Sequence, residues 1–386
     1  MTLIAQQLTI GSASRTSFGS GSIAGLPGAV KSLGHGRVFV VTDRGLLASG
    51  VSGLVIAQLE EAGLEVAVYS DLRPNPAIED VEAGGEALRR FGDSVVVGLG
   101  GGTSLDGAKA ISLAATNAVP IRDLDYRKAP DNPGLPVVAV PTTAGTGSET
   151  NSFAVIDDHE AHRKFYVGNA TVAPKVVILD PDLTVGLPPA ATAATGVDAL
   201  THSLESLMAR NQNPFSQALD IQVIGMVGRW LPVAVESGDD KEARAQMLLA
   251  AHMAGLAFAN TGLGLAHALA HTLSAILGTA HGVALAAVLP SVMNFNLSVR
   301  RSELSQVGVA LGAAPEGADG AAAEAAVERV RSLLRTLRMP TGLGELGLSQ
   351  NEVPALVTGA LEDVVLANNP MQPTSAELTA IVESLV

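Results

Sequence analysis

Cysteine is absent from this 386-residue chain, and positive charge is scarce. Without a thiol, the chain can form no disulfide bond, use no thiolate nucleophile and bind no zinc through cysteine. Only 24 basic residues face 38 acidic ones, and no basic run is present. Because nucleic-acid backbones are bound by clustered lysine and arginine, we expect no nucleic-acid partner and favour small polar or neutral substrates.

A secretory signal is also missing from the sequence. The N-terminal segment MTLIAQQLTIGSAS, residues 1–14, lacks a basic start followed by an apolar core. We therefore expect a cytoplasmic protein.

Charged residues are missing from Met247 through Val299, a stretch long enough to be tested as a membrane span. About 18 uninterrupted apolar residues are the usual signal for a span. Polar side chains interrupt this stretch at shorter intervals, and polar groups are costly in hydrocarbon. These side chains are His252, Asn260, Thr261, His267, His271 and His281. We therefore predict helices buried in a protein core, with no membrane partner.

The pattern of the chain changes near its middle, and its length suggests two domains. Short apolar runs alternate with helical segments up to about residue 184, which is typical of buried parallel strands in an α/β fold. The runs are 37–43, 65–71, 94–102, 135–143 and 175–181. After the turn LTVGLPPA the spacing is helical almost to the end. We predict a nucleotide-binding α/β domain over 1–184 and an all-helical domain over 185–386.

Glycines follow the strand at 94–102, in the run Gly98-Leu99-Gly100-Gly101-Gly102-Thr103. Such a loop lets the backbone approach a pyrophosphate at the start of the next helix. The match to the dinucleotide fingerprint is incomplete, because Thr103 stands at the third glycine position and the strand is not the first. A tight structural turn is therefore the alternative.

Two further strand ends carry polar residues. The segment PTTAGTGSE, 141–149, places glycine and hydroxyl groups at the carboxyl edge of the predicted sheet, where α/β folds bind ligands. Asp43 ends the first predicted strand and could bind a ribose hydroxyl, which would favour NAD over NADP. A turn-forming role for Asp43 fits the local sequence equally well.

One carboxylate and several histidines occur at helical spacing in the second half. Asp198 and His202, like His267 and His271, are four residues apart and share a helical face. One carboxylate with three imidazoles would make a mixed oxygen and nitrogen site for iron or zinc. A continuous helix would carry His281 about 21 Å from His267, so the chain must turn between them. Gly278 and Thr279 are where we predict the break.

Several enzyme classes are disfavoured by residues that are missing. The pair HALAH lacks the glutamate of the HExxH proteases. No tyrosine is followed four residues later by lysine, which argues against the short-chain dehydrogenases, and the zinc dehydrogenases that use cysteine ligands are excluded.

Four segments in order resemble the signatures of the iron-containing, or group III, alcohol dehydrogenases. They are GGGTSLDGAK (100–109), PTTAGTGSE (141–149), TGVDALTHSLE (195–205) and LAHALAHTLSAILGTAHG (265–282). The resemblance implies a parallel-sheet α/β nucleotide-binding domain and an all-helical C-terminal domain, the architecture of dehydroquinate synthase, with the active site between them. It also implies a dimer, the common state among relatives.

The resemblance assigns roles to particular residues. The metal ligands would be Asp198, His202, His267 and His281, while His271 would lie beside the substrate and carry its proton. Ten positions match residues near the dinucleotide: Asp43, Asn75, Gly101, Gly102, Thr103, Asp106, Thr142, Thr143, Thr146 and Lys164. The chain departs from the family at Ala280 and Leu285, where proline and asparagine are frequent.

The implied reaction is reversible hydride transfer between NAD and a small alcohol, diol or hydroxyacid. A divalent metal, iron(II) or zinc, would polarise the alcohol oxygen. Three alternatives are a metal-independent enzyme like maleylacetate reductase, a carbon–oxygen lyase like dehydroquinate synthase, and a protein that only binds its ligand.

Overall fold

The computed structural model describes residues 14–128, 130, 132–160, 163–315 and 321–386. The N-terminal segment considered above as a targeting signal lies outside the described residues, except for Ser14.

Six parallel strands form one sheet in the order β1-β8-β5-β4-β2-β3. The strands of this sheet are β1 (Arg15–Phe18), β2 (Arg37–Val41), β3 (Glu65–Tyr69), β4 (Val95–Gly100), β5 (Val137–Pro141) and β8 (Val176–Leu179). The five predicted strands are confirmed. Strand β1 was not predicted, because its four residues RTSF are mostly exposed and carry no apolar pattern.

Helices cover the sheet, as expected for strands whose side chains are buried on both faces. They are α1 (Leu26–Ser32), α2 (Arg44–Ala48), α3 (Val51–Glu61), α4 (Ile78–Phe91) and α5 (Gly102–Thr116). Strands β2, β4 and β5 are neighbours in the sheet. The polar segments that follow them therefore lie side by side at its carboxyl edge.

A two-stranded antiparallel hairpin interrupts the α/β pattern, and the sequence analysis did not predict it. Its strands are β6 (Phe153–Asp158) and β7 (Arg163–Gly168), paired from Phe153 with Gly168 to Asp158 with Arg163. Strand β7 also contacts a helix of the second half, which begins at Leu265. The hairpin thus places side chains of the first half against the helical half.

After residue 179 the described part of the chain contains helices and loops only, as predicted. The helices are α6 (Pro189–Met208), α7 (Pro214–Glu236), α8 (Lys241–Thr261), α9 (Leu265–Leu277), α10 (His281–Asn296), α11 (Arg301–Ala310), α12 (Ala321–Thr336), α13 (Val353–Glu362) and α14 (Ser375–Glu383). Helices α6 to α8 share one apolar core with α11 and α12, and α9 shares a second with α13 and α14.

One described helix, α7, is long and apolar enough by composition to cross a membrane. Helices α8 and α9 pass the same test only as a pair, and they are bent by 107° at the break between them. Core helices of globular proteins pass this test as well, and α7 contributes Val223, Ile224 and Val227 to the first apolar core.

Candidate active site

The histidine-rich stretch forms two helices that meet at a sharp turn. Helix α9 ends at Leu277, and Gly278 caps it with a φ of 65°, a left-handed conformation that favours glycine. Helix α10 then begins at His281. The predicted break is confirmed, and it brings the ring centroids of His267 and His281 to within 5.2 Å of each other.

Helix α6 supplies the carboxylate on which the imidazoles converge. Asp198 Oδ1 lies 3.5 Å from His202 Nε2 and 3.7 Å from Nε2 of both His267 and His281. Side chains of Asp198, His202 and His267 are buried, while that of His281 is 27% exposed. Three helices therefore contribute to one cluster at the edge of the helical half.

The donor atoms of this cluster fit a divalent metal ion. Ligand atoms of Asp198, His267 and His281 all lie within 4.8 Å of one another. His202 adjoins this group, with its ring stacked on His267 at 4.7 Å between centroids. Asp198 Oδ1 and His267 Nε2, which face each other at 3.7 Å, are buried without a hydrogen-bond partner, which is costly unless a ligand satisfies them. Imidazole and carboxylate together suit iron or zinc.

The protonation states of three of the four cluster residues also favour a cation. Burial acts to raise the pKa of Asp198, but the neighbouring imidazoles outweigh it and keep this pKa below its ordinary value. Burial acts to lower the pKa of His267, but contacts with Asp198 and Glu205 raise it to about 9. Burial lowers the pKa of His202 to about 4 and lowers that of His281 well below its ordinary value. Neutral imidazoles and an ionised carboxylate are the forms that bind metals, so Asp198, His202 and His281 are ready for a cation, and His267 would release a proton when one binds.

Glu205 holds His267 in place, and the sequence analysis assigned it no role. Its carboxylate accepts hydrogen bonds from His267 Nδ1 at 2.6 Å and from the backbone nitrogens of Gly264 and Ala266 at 3.0 and 2.6 Å. Nδ1 is therefore the protonated nitrogen, and Nε2 is left to face Asp198. The spacing from Asp198 to His202 to Glu205, with steps of four and three residues, was the available signal.

His271 lies one helical turn from His267 and contacts two of the predicted ligands. Its ring stacks on His281 at 5.3 Å between centroids and meets His267 edge-on at 5.9 Å. Its Nδ1 lies 2.7 Å from Oδ2 of Asp363, which follows α13. Because these two residues are 92 positions apart, no local pattern in the sequence indicated the pair.

A cavity of about 930 Å³ lies along the carboxyl edge of the sheet and is large enough for a nucleotide. It is lined by five of the ten residues assigned to the dinucleotide: Asp43, Gly101, Thr103, Thr142 and Thr143. Gly101 ends the loop after β4, where a Cβ would come within 3.2 Å of the Thr143 side chain. Glycine thus allows the two polar loops to approach closely.

A second cavity of about 410 Å³ contains the metal-ligand cluster. It is lined by Asp198, His202, His267, His271 and His281, and by six of the assigned dinucleotide residues: Asn75, Gly102, Thr103, Asp106, Thr146 and Lys164. Thr103 borders both cavities, so the two are adjacent, and together they are called the cleft below. All fifteen residues assigned from the sequence line this cleft.

Four of the assigned dinucleotide residues also have partners within the protein, and one of them is Thr146, whose Oγ1 accepts a hydrogen bond from Ser148 N at 3.3 Å. Asp43 Oδ1 accepts a hydrogen bond from Leu46 N and caps α2, which is the turn role considered above. Asp106 pairs with the buried Lys109 at 3.0 Å, and Lys164 pairs with Asp157 at 2.8 Å. Their contact with a dinucleotide stays a prediction.

Aromatic side chains form a wall of the second cavity that the sequence analysis did not identify. Tyr126, Phe153 and Tyr166 pack edge-on or tilted, with centroids 5.5 to 6.3 Å apart, and Phe258 stacks on His202. Two of the three come from the unpredicted hairpin. Aromatic rings at this position give the cavity a largely apolar side, which suits a small, weakly polar molecule.

Comparison with known proteins covers both halves of the chain. A model of the family "Iron-containing alcohol dehydrogenase" matches residues 13–181, and one of its C-terminal part matches 192–386. Alcohol dehydrogenase 4 of Saccharomyces cerevisiae is 37% identical, with 95% of each chain covered. The NAD-dependent methanol dehydrogenase of Bacillus methanolicus is 36% identical, with 95% of this chain and 96% of that one covered. The crystal structure of a 1,3-propanediol oxidoreductase has a TM-score of 0.95 at 33% identity, and covers 99% and 100% of the two chains.

Proposed function

Because the chain belongs to the iron-containing alcohol dehydrogenase family, we propose that it interconverts a small alcohol, diol or hydroxyacid and its carbonyl product with NAD. It is an NAD-linked alcohol dehydrogenase, and its relatives include enzymes named for methanol and lactaldehyde. The proposal depends mainly on the cluster of Asp198, His267 and His281. This cluster lies at one end of a cleft whose other end has the size of a nucleotide site.

We assign Asp198, His202, His267 and His281 as the residues that hold the metal. When bound, the metal supplies Lewis acidity for the alcohol oxygen, and NAD takes up the hydride. The unpartnered atoms of Asp198 and His267 support this assignment over a metal-independent reductase. The aromatic wall keeps water from the reacting carbon, and His271 takes the alcohol proton at the nitrogen that does not face Asp363.

The ten assigned dinucleotide residues form the cofactor part of the proposal. The loop after β4 and the start of α5 would hold the pyrophosphate, because α5 begins at Gly102 with free backbone N–H groups. We propose that residues 1–184 act as the NAD-binding domain and residues 185–386 as the metal-binding catalytic domain. The two family-model matches, which end at 181 and begin at 192, support this division.

A cytoplasmic homodimer is part of the same proposal and rests on the sequence analysis. Sedimentation of the purified protein tests the dimer, because a dimer would have twice the 39.2 kDa mass of the chain.

The test of the function combines metal analysis with turnover. We expect the purified enzyme to contain one iron or zinc per chain and to reduce NAD steadily with alcohols or diols. His267→Ala should lose metal and turnover while binding NADH almost normally, because His267 lies in the helical half and the nucleotide-sized cavity lies along the sheet. Full activity of this variant after chelation would contradict the proposed metal role.

A further inference from the structure

Asp363 belongs to no motif, yet it contacts the proposed proton carrier. Its carboxylate Oδ2 lies 2.7 Å from His271 Nδ1. The other carboxylate oxygen, Oδ1, accepts a hydrogen bond from Val365 N at 3.0 Å and caps the short helix at Val364–Asn368. Each oxygen of Asp363 therefore has one partner, and the carboxylate is held at a single orientation.

The charge of Asp363 determines which nitrogen of His271 carries the proton. Burial acts to raise the pKa of Asp363, but the hydrogen bond and charge of His271, the Val365 N–H and the charge of His267 together outweigh it, so this pKa lies below its ordinary value. An ionised carboxylate can only accept hydrogen bonds, so Nδ1 of His271 must donate. In the neutral ring, Nε2 is then the nitrogen with the free electron pair.

The ring of His271 lies between the metal cluster and a third, smaller cavity. On one side it stacks on His281 and lines the cavity that contains the cluster. On the other side it lines a cavity of about 250 Å³ that is also bordered by Glu362 and Asp363. The stacking on His281 and the edge-on contact with His267 restrict the ring, and the bond to Asp363 selects one of its two flipped orientations.

We propose that Asp363 is a positioning residue for the dehydrogenase reaction, which holds His271 with Nδ1 protonated and presents Nε2 to the alcohol proton. The inference rests on the proposed function, because it gives His271 a part in turnover. Asp363 itself touches no reacting atom and acts through His271 alone.

Replacing Asp363 with asparagine tests the proposal with little change in shape. The amide Oδ1 can still cap the helix, but the amide nitrogen can donate to Nδ1 and so favour the opposite tautomer. We expect Asp363→Asn to lower kcat by about 10- to 100-fold, with KM, metal content and NADH binding nearly unchanged. Glu362→Gln is the matched control, because Glu362 is adjacent, exposed and borders the same cavity; its kcat should stay close to that of the wild type.

A double-mutant cycle separates positioning from a general structural role. In the His271→Ala background, Asp363→Asn should cause no further loss of kcat, because no ring remains to be oriented. Three results would each overturn the proposal. They are an equal loss of kcat in both backgrounds, a loss of metal from the Asp363→Asn single variant, and a wild-type kcat in that variant.

The tautomer of His271 provides a readout that does not depend on turnover. In the zinc-loaded wild type, ¹⁵N chemical shifts should show a protonated Nδ1 and a bare Nε2, and Asp363→Asn should reverse them. A wild-type ring protonated at Nε2 would refute the proposal whatever the enzyme turns over. Failure of the proposed function would instead appear as a wild type that reduces no NAD with any alcohol, and the tautomer would still decide the role of Asp363.

Discussion

The buried charges of helix α6 lie on one face. Asp198, His202 and Glu205 are separated by four and three residues, so their side chains project in the same direction. Two of them are proposed metal ligands, and the third orients a ligand on another helix. A buried carboxylate persists only when its oxygens are satisfied, and Glu205 accepts three N–H donors.

Glu205→Gln should therefore weaken metal binding more than it changes the fold. Glutamine cannot accept from every donor that surrounds Glu205, and its amide group can favour the wrong tautomer of His267. We expect the metal dissociation constant to rise about 10- to 100-fold, the usual effect of losing such a partner. Competition with a chromophoric chelator measures this constant. Glu60→Gln, on the exposed side of α3, is the control, and equal affinities in the two variants would exclude the orienting role.

Helix packing decides where His281 lies relative to Asp198. Gly282 follows His281 at the start of α10, and a Cβ at this position would collide with the backbone carbonyl oxygen of Ala194 in α6. The two helices therefore approach closely because this residue is glycine. The sequence predicted the helix start at His281, but nothing in its pattern indicated which helix α10 would meet.

Gly282→Ala should separate α10 from α6 and displace His281 from the cluster. Backbone atoms cannot rotate away as a side chain can, so we expect a loss of about 1–3 kcal/mol in stability and at least about a tenfold loss in metal affinity. Gly225→Ala in α7 is the matched control, because a Cβ there meets only the carbonyl oxygen of Ala310 at 3.5 Å. Denaturant unfolding and metal titration measure both effects. Unchanged metal affinity in Gly282→Ala would show that this contact does not position His281.

At the scale of the whole molecule, the cluster joins three helices from two apolar cores. Helix α6 contributes to the first core and α9 to the second, and α10 has residues in both. A metal bound by Asp198, His267 and His281 would link all three helices. Ligands that bind only the folded state stabilise it by mass action, by about 2.7 kcal/mol at 100 times the dissociation constant.

Removing the metal should therefore lower the thermal stability of the wild type. For domains of about 150–250 residues, the size of each half of this chain, each kcal/mol corresponds to about 2–4 °C in Tm. We expect a chelator to lower the Tm by several degrees, and added zinc or iron(II) to restore it, in a calorimetric scan. His267→Ala should show neither change. A chelator effect of equal size in that variant would mean that the metal binds elsewhere.

The sequence by itself determined the features that depend on nearby residues. Apolar runs specified five of the six parallel strands, since buried strands need continuous apolar side chains. Gly278 specified the break between the histidines, because a left-handed cap excludes most other residues. Spacing by four placed Asp198 with His202, and the ordered motifs indicated the family before the fold was known.

Only the tertiary structure decided which distant residues meet. Glu205 reaches His267 across 62 positions, and Asp363 reaches His271 across 92. The sequence also missed the hairpin β6–β7 and strand β1, whose pairing only the fold shows. Periodicity describes a helix face or a strand, whereas the partner of that face depends on how the whole chain packs. The pairs that orient the active-site histidines were therefore visible only in the fold.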